Sequence, residues 1–158
     1  MSGLIGILGA PGATEDAAAR RMLEPSRPRG RDHTGCWSGE DGLLGVCRSE
    51  WELGSDFADG TMVLDRHPLV VVADASLYYR NDLRRALRGA GVRPEGASPT
   101  HLIAAAYQAW GTGLLDVIEG DYAFVLWDRE RRLLLAARDF AGSRPLFFAT
   151  AGERLILA

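Results

Sequence analysis

Gly120-Asp121-Tyr122-Ala123-Phe124-Val125-Leu126-Trp127-Asp128 and, shortly after it, Ala137-Arg138-Asp139-Phe140-Ala141-Gly142-Ser143-Arg144-Pro145-Leu146-Phe147 decide the fold class. The first is an apolar run of strand length, and the charged cluster over 128–131 ends it as a turn. A second strand follows at 132–138, with further strand-like runs at 145–149 and 154–158, so this part of the chain reads as a meander. Turns this short favour antiparallel pairing, because parallel neighbours need a crossover of roughly a dozen residues or more.

Working outward, 3–8 is apolar on both faces and predicts a central strand. Runs near 43–48, 61–64 and 69–74 are strand-like as well, and 25–42 predicts a long loop holding at most one short strand. Thr14, with Glu15 and Asp16 behind it, caps a helix that Pro25 ends. Asn81 is the expected cap of a second helix with Leu83 and Leu87 inward, stopped at Gly89 to Gly91. Ser98-Pro99 opens a third, with Leu102, Ile103, Ala106, Tyr107 and Trp110 inward and Gly111 closing it. Tyr78, Trp110, Tyr122, Phe124 and Trp127 follow strand or helix spacing and are expected in the core. Strands outnumber helices, so the fold class is α+β, with two mainly antiparallel sheets flanked by helices.

Composition narrows the functional classes. The 158 residues suit one domain, 1–158, and 47% hydrophobic with 25% charged residues is ordinary for a globular protein. A net charge of -3 provides no electrostatic footprint for nucleic acid. No apolar run reaches the roughly 18 residues of a membrane span, and no basic leader precedes an apolar core, so no membrane partner and a cytoplasmic location are expected. All 18 basic residues are arginine, which excludes a phosphate-loop lysine. Cys36 and Cys47 read as two reduced thiols, and His33, His67 and His101 lack ligand spacing, so no metal is expected.

The opening Met1-Ser2-Gly3-Leu4 resembles the Met-Cys-Gly-Ile start of class II glutamine amidotransferases, the domain found in glutamine-dependent asparagine synthetases. Arg29-Gly30-Arg31-Asp32-His33-Thr34-Gly35 is similar to that family's Arg-Gly-Pro-Asp-x-x-Gly loop, with arginine for proline. Leu44-Gly45-Val46-Cys47-Arg48 and Val72-Ala73-Asp74-Ala75-Ser76-Leu77-Tyr78 follow in order. The opening pair of stretches resembles Gly-x-Phe-Ala-Phe-x-x-x-Asp and Arg-Asp-x-x-Gly-x-x-Pro-Leu-Tyr. The resemblance implies a four-layer αββα sandwich, the fold of N-terminal-nucleophile hydrolases.

It also implies a site, and here the chain departs from the pattern. In such enzymes the free α-amine acts as base for its own side chain. Ser2 stands where the nucleophilic cysteine should be; alone, it reads equally as a serine nucleophile or as a tolerated small residue. The oxyanion in the family is held by an asparagine side chain and the following glycine N–H; the matching positions here are Asp74 and Ala75. Losing such a donor costs about 3–4 kcal/mol. A carboxylate in its place repels the oxyanion by up to about 4 kcal/mol at 4 Å and an effective dielectric of 20. Asn81 is the sole asparagine and Gln108 the sole glutamine, so Gln108 is the one spare carboxamide.

The family's amine-binding Ser-Asp-x-Glu reads Ser98-Pro99-Thr100-His101, which removes the charge at Pro99. Arg48 matches the arginine that grips the substrate carboxylate. With those partners gone, an exposed strand arginine or an ion pair with Asp74 is the expected role. Arg138, Asp139, Gly142 and Pro145 are read as scaffold, with Arg138 and Asp139 paired.

The resemblance therefore implies a glutaminase-like domain without glutaminase activity. Ala73 to Leu83 and Ala105 to Gly111 look most like lasso-peptide cyclases, in which a synthetase domain activates a carboxylate of a precursor peptide. The apolar end Leu155-Ile156-Leu157-Ala158 and the absence of a Ser-Gly-Gly-x-Asp-Ser loop lead us to expect a longer protein with that synthetase domain beyond residue 158. ATP and magnesium would belong to it, with no cofactor in this domain. The expected partners are the synthetase domain, a precursor peptide and other biosynthetic proteins. A working N-terminal-serine amidohydrolase and a free-standing protein-binding module are the alternatives.

Overall fold

Gly3–Leu8 forms β1, and its place at the centre of a five-stranded sheet follows from its being apolar on both faces. The computed structural model describes residues 3–9, 21–51, 54 and 59–158. The expected Thr14 cap and the expected role of Ser2 fall outside them.

Helical residues Arg21–Leu23 run into a 3-10 helix, Glu24–Arg29, so Pro25 tightens the helix into a new geometry where it was expected to end it. β2 (His33–Gly39) and β3 (Gly42–Arg48) then form a hairpin paired along its full length. The expected long loop thus holds a seven-residue strand. Its glycines and serine are tolerated because β2 is an edge strand of the sheet. β4 (Val63–Arg66) and β5 (Leu69–Leu77) follow, then α1 (Arg80–Gly89), α2 (Pro99–Trp110) and a 3-10 helix at Gly111–Asp116. β6 (Gly120–Asp128), β7 (Leu133–Arg138), β8 (Phe148–Ala151) and β9 (Arg154–Leu157) complete the chain.

One antiparallel sheet has the order β2-β3-β1-β9-β8 and the other β4-β5-β6-β7. The expected C-terminal meander is corrected here: after β7 the chain leaves its sheet, and β9 pairs with β1 through Gly6↔Leu157 and Leu8↔Leu155. The physical reason is burial, since Leu157 drops into the space between the sheets, which pairing beside β7 would deny it.

Strand alternation sorts the core into layers. Val70 and Val72 of β5, with Val125 and Trp127 beside them on β6, face the other sheet, where Leu4 and Leu44 meet them. Val71, Ala73, Ala75 and Leu77 face outward onto α1 and α2, against Leu83, Leu87, Leu102 and Ile103. On the far side, Ile5, Leu43 and Cys47 pack under Leu23 and Met22 of the N-terminal helical segment. Helix, sheet, sheet, helix is the four-layer sandwich that the resemblance implies.

Three local expectations change. Tyr79, in the left-handed region at φ 48°, is the cap residue of α1, and Asn81 lies within the helix. Tyr78 is half exposed, its hydroxyl donating to Asp121 at 2.8 Å, because β5 has run past the core by that point. Trp110 is half-buried at the margin of the helix-side core. Ser98 does cap α2, but its hydroxyl donates to Asp59 and not to the helix.

Candidate functional site

Two even-numbered positions bring the site together. On β3, Leu44 points into the space between the sheets, and period two puts Arg48 on the same face at the strand's end. On β5, Val70 and Val72 point the same way and so does Asp74. β4 reaches only as far as Val63↔Val72, so beyond Val72 one edge of β5 is open to other partners. Arg48 takes that edge: its Nη2 donates to the Ala73 carbonyl at 3.2 Å and to Asp74 Oδ1 at 3.0 Å. The Arg48 side chain is 0% exposed and that of Asp74 5%.

A second guanidinium converges on the same oxygen. Arg144 Nη1 lies 3.4 Å from Asp74 Oδ1, and its Nη2 donates to Ser76 Oγ at 3.4 Å. Asp139 sets its position. The Asp139 carboxylate accepts the backbone N–H groups of Ser143 at 3.0 Å, Arg144 at 3.2 Å and Tyr122 at 3.2 Å. Burial pushes its pKa up, but these N–H groups outweigh burial and hold the carboxyl below its usual value. Gly142, at φ 69°, lets the turn close with its N–H on the Asp139 carbonyl. Asp139 is therefore scaffold, as expected. Its expected pairing with Arg138 is corrected: the two form no ion pair among the described residues, and Arg138 lies exposed above Gly142.

The loop after the N-terminal 3-10 helix supports Arg48 from below. A Cβ on Gly30 would stand 2.6 Å from the Arg48 backbone nitrogen, so only glycine fits. Asp32 donates its N–H to the Arg48 carbonyl at 3.2 Å, and its side chain accepts the Glu50 N–H at 2.8 Å. Sequence reading found this loop but not its task. It missed Arg144 and Ser76 altogether. A signal for Arg144 was present: Tyr122 pairs with Ala75, so a turn tied to Tyr122 necessarily falls beside Asp74.

The remaining positions lie elsewhere. Ala75 turns its side chain outward into the helix-side core. Pro99 opens α2 on the outer face of the second sheet, and the Ser98 end of that helix is tied to Asp59. The Asp59 carboxylate accepts from Ala97 N at 2.7 Å, Ser98 N at 2.9 Å, Thr61 N at 3.0 Å and the Ser98 hydroxyl. Burial opposes its charge, but these donors hold Asp59 well below the usual carboxylate range. Gln108 lies on α2 near Leu69 and Arg93, on that outer face, so it supplies no carboxamide to Asp74.

The model of the glutamine amidotransferase domain family matches residues 1–158. The chain belongs to that family. Its relatives include the glutamine-hydrolyzing asparagine synthetase 3 of Bacillus subtilis, 31% identical over 86% of this chain and 22% of the relative. A putative glutamine-hydrolyzing asparagine synthetase of Mycobacterium tuberculosis is 34% identical over 95% of this chain and 26% of its own length. This glutamine amidotransferase domain is thus of the kind carried by asparagine synthetase-like proteins, and it spans about a quarter of the length of those relatives. Among solved structures, the glutamine phosphoribosylpyrophosphate amidotransferase of Bacillus subtilis superposes with a TM-score of 0.68 at 16% identity, over 99% of this chain and 41% of that one. That likeness shows the fold, the N-terminal-nucleophile sandwich. Among the described residues no helix is long and apolar enough to cross a membrane.

Proposed function

We propose that this glutamine amidotransferase domain is catalytically silent and serves as scaffold for an ATP-dependent amide-forming synthetase domain of the lasso-peptide cyclase type. The observation that carries the reading is the buried pair of Arg48 and Asp74. One contact disables two functions. A carboxylate stands where an oxyanion would need a donor, and the arginine that would grip a substrate carboxylate is engaged by a carboxylate of the chain itself. Ser2 for cysteine and Pro99 for aspartate point the same way. The rival reading, an N-terminal-serine amidohydrolase, would need Asp74 turned away from the site, and its contacts with Arg48 and Arg144 oppose that.

The surface supports a scaffold role. Phe140 is fully exposed, Phe147 and Phe148 are largely exposed, and all four residues of the edge strand β8 face solvent. Exposed aromatic groups beside an uncovered strand edge are what a covering domain would bury. ATP and magnesium would act in that synthetase domain, with the substrate peptide supplying its own amine.

Ammonia release from glutamine tests the proposal. The expected result is none from the natural sequence and none from Ser2→Cys, since Asp74 still opposes the oxyanion. Turnover by the single variant would falsify the reading. In the longer protein, Ser2→Ala is expected to leave ATP-dependent cyclisation nearly unchanged.

A further inference from the structure

Five of the chain's 18 arginines fall within residues 80–93, against one carboxylate, Asp82, in a protein of net charge -3. Arg80, Arg84 and Arg88 stand four apart on α1, so they form one row along it, beside the buried Leu83 and Leu87. Like charges at that spacing destabilise a helix unless something neutralises them. Arg88, in the last turn, gains from the helix dipole; Arg84, in mid-helix, does not.

The chain itself supplies little neutralisation. Asp82 is paired with Arg85 at 2.8 Å and lies on the other side of the helix from Arg84. Arg84 Nη2 donates to the Gly96 carbonyl at 3.0 Å, a neutral acceptor. Glu95, between α1 and α2, is paired with Arg66 at 2.6 Å. Asp59 is held by the Ala97 and Ser98 N–H groups and the Ser98 hydroxyl at the start of α2. Arg84, Arg88 and Arg93 therefore enter no ion pair among the described residues.

The bond to Gly96 leads from this row to a slot. Gly96 abuts the His101 ring, since a Cβ there would stand 2.4 Å from it, and His101 forms one wall of a slot between α2 and the segment before it. Leu64, Leu69, Ala104 and Ala105 line the slot, and Arg93 stands at its rim. Its volume of about 70 Å³ is far below the roughly 300 Å³ at which small-molecule sites begin, and suits one aliphatic side chain. A flat membrane has nothing to insert there, and no Phe, Tyr or Trp lines the slot on which a base could stack. An apolar slot beside unneutralised arginines complements a peptide that is acidic around one aliphatic residue. Glu130 lies beyond Gln108 at the far end, which directs the carboxylates of such a peptide toward Arg93.

We propose that the basic flank of α1 and the slot beside it dock a short acidic segment of a partner polypeptide, one aliphatic residue entering between Leu64, Leu69, Ala104 and Ala105 and the neighbouring carboxylates meeting Arg93, Arg88 and Arg84. The surface lies on the helix side of the second sheet, away from Arg48 and Asp74, so its fate does not depend on whether that pair is silent.

The test is an NMR titration of the isotope-labelled chain with capped pentapeptides: Glu-Glu-Leu-Glu-Glu, the same peptide with glutamine or arginine for every glutamate, and the same peptide with glycine for leucine. The glutamate peptide is expected to saturate, to move the amides of Arg93, Glu95, His101 and Ala105, and to weaken as salt is raised. Arg88 and Arg93 are exposed, so their variants fold; Arg88→Gln and Arg93→Gln are each expected to weaken binding about two- to fivefold. Arg88→Glu with Arg93→Glu is expected to reverse the preference, so that the arginine peptide binds in place of the glutamate one. Equal binding of the glutamine or glycine peptide, shifts confined to another surface, or no saturation at millimolar peptide would each overturn the proposal. So would tighter binding of phosphatidylserine vesicles or of an oligothymidylate, or the same shifts on concentrating the chain alone, which would assign the surface to a second copy.

Discussion

Asp74→Ala breaks the buried pair, and the structure sets the size of the effect. At 3.0 Å the attraction between Arg48 and Asp74 is about 5–6 kcal/mol at an effective dielectric of 20. Desolvating each ion costs several kcal/mol, so the intact pair adds little net stability. Deleting the carboxylate removes the attraction and leaves the Arg48 charge buried with 0% of its side chain exposed. The expected loss is about 3–5 kcal/mol. For a domain of this length that is a fall in Tm of about 6–20 °C, at roughly 2–4 °C per kcal/mol. Arg144 softens the effect only at its own end, since its side chain is 18% exposed and can turn to solvent. The comparison that isolates the mechanism is Arg48→Met with Asp74→Leu, which removes both charges and is expected to cost less than about 2 kcal/mol. Urea unfolding of the three proteins measures both quantities. If Asp74→Ala cost under about 1 kcal/mol, or the double variant were worse than the single, the pair would not be the buried unit described here, and the reading of the site would fall with it.

Asp139→Asn is expected to destabilise by about 2–4 kcal/mol, because it turns one acceptor of three backbone N–H groups into a donor, while Arg138→Ala changes stability by less than about 0.5 kcal/mol. Urea midpoints separate the two, and equal losses would restore the Arg138–Asp139 pairing. Asp59, Asp128 and Asp139 all have folded pKa values below the unfolded ones, so their contribution is fully present above about pH 4 and is lost as pH falls through the folded values. Stability is therefore expected to be flat from pH 7 to pH 5 and to fall below pH 4, with a shallower acid limb in Asp139→Asn; a steep loss between pH 7 and pH 5 would contradict this assignment.

Much of the sandwich was legible because a short continuous apolar run of strand length marks a strand buried on both faces. β1, β3, β5 and β6 show it plainly, and each lies in the interior of its sheet. The remaining strands of the first sheet were harder. β2 carries Gly35, Ser38 and Gly39, residues that also make loops, and its strand character comes from pairing with β3 and not from its own preference. β8 and β9 were legible as strands but not in their placement. Their sheet is chosen by the burial of Leu157 against β1, a contact separated by most of the chain. At the site, resemblance supplied Arg48 and Asp74, and alternation explains why they meet. Arg144 escaped because its position depends on a turn whose anchor, Asp139, works through backbone donors that no motif displays.

The Arg48–Asp74 pair also bears on the cost of a buried cation. A substrate-gripping arginine must face an open space, so a free enzyme carries the cost of a poorly solvated cation until its ligand arrives. Two changes can remove that cost: losing the arginine, or giving it a permanent partner. Here the partner is Asp74, supplied by β5 of the facing sheet. The choice also retains Gly30, Asp32 and Asp139, whose contacts converge on Arg48 and Arg144. The arrangement is an internal tie between the two sheets, with Arg48 and Asp74 reaching across the space that separates them.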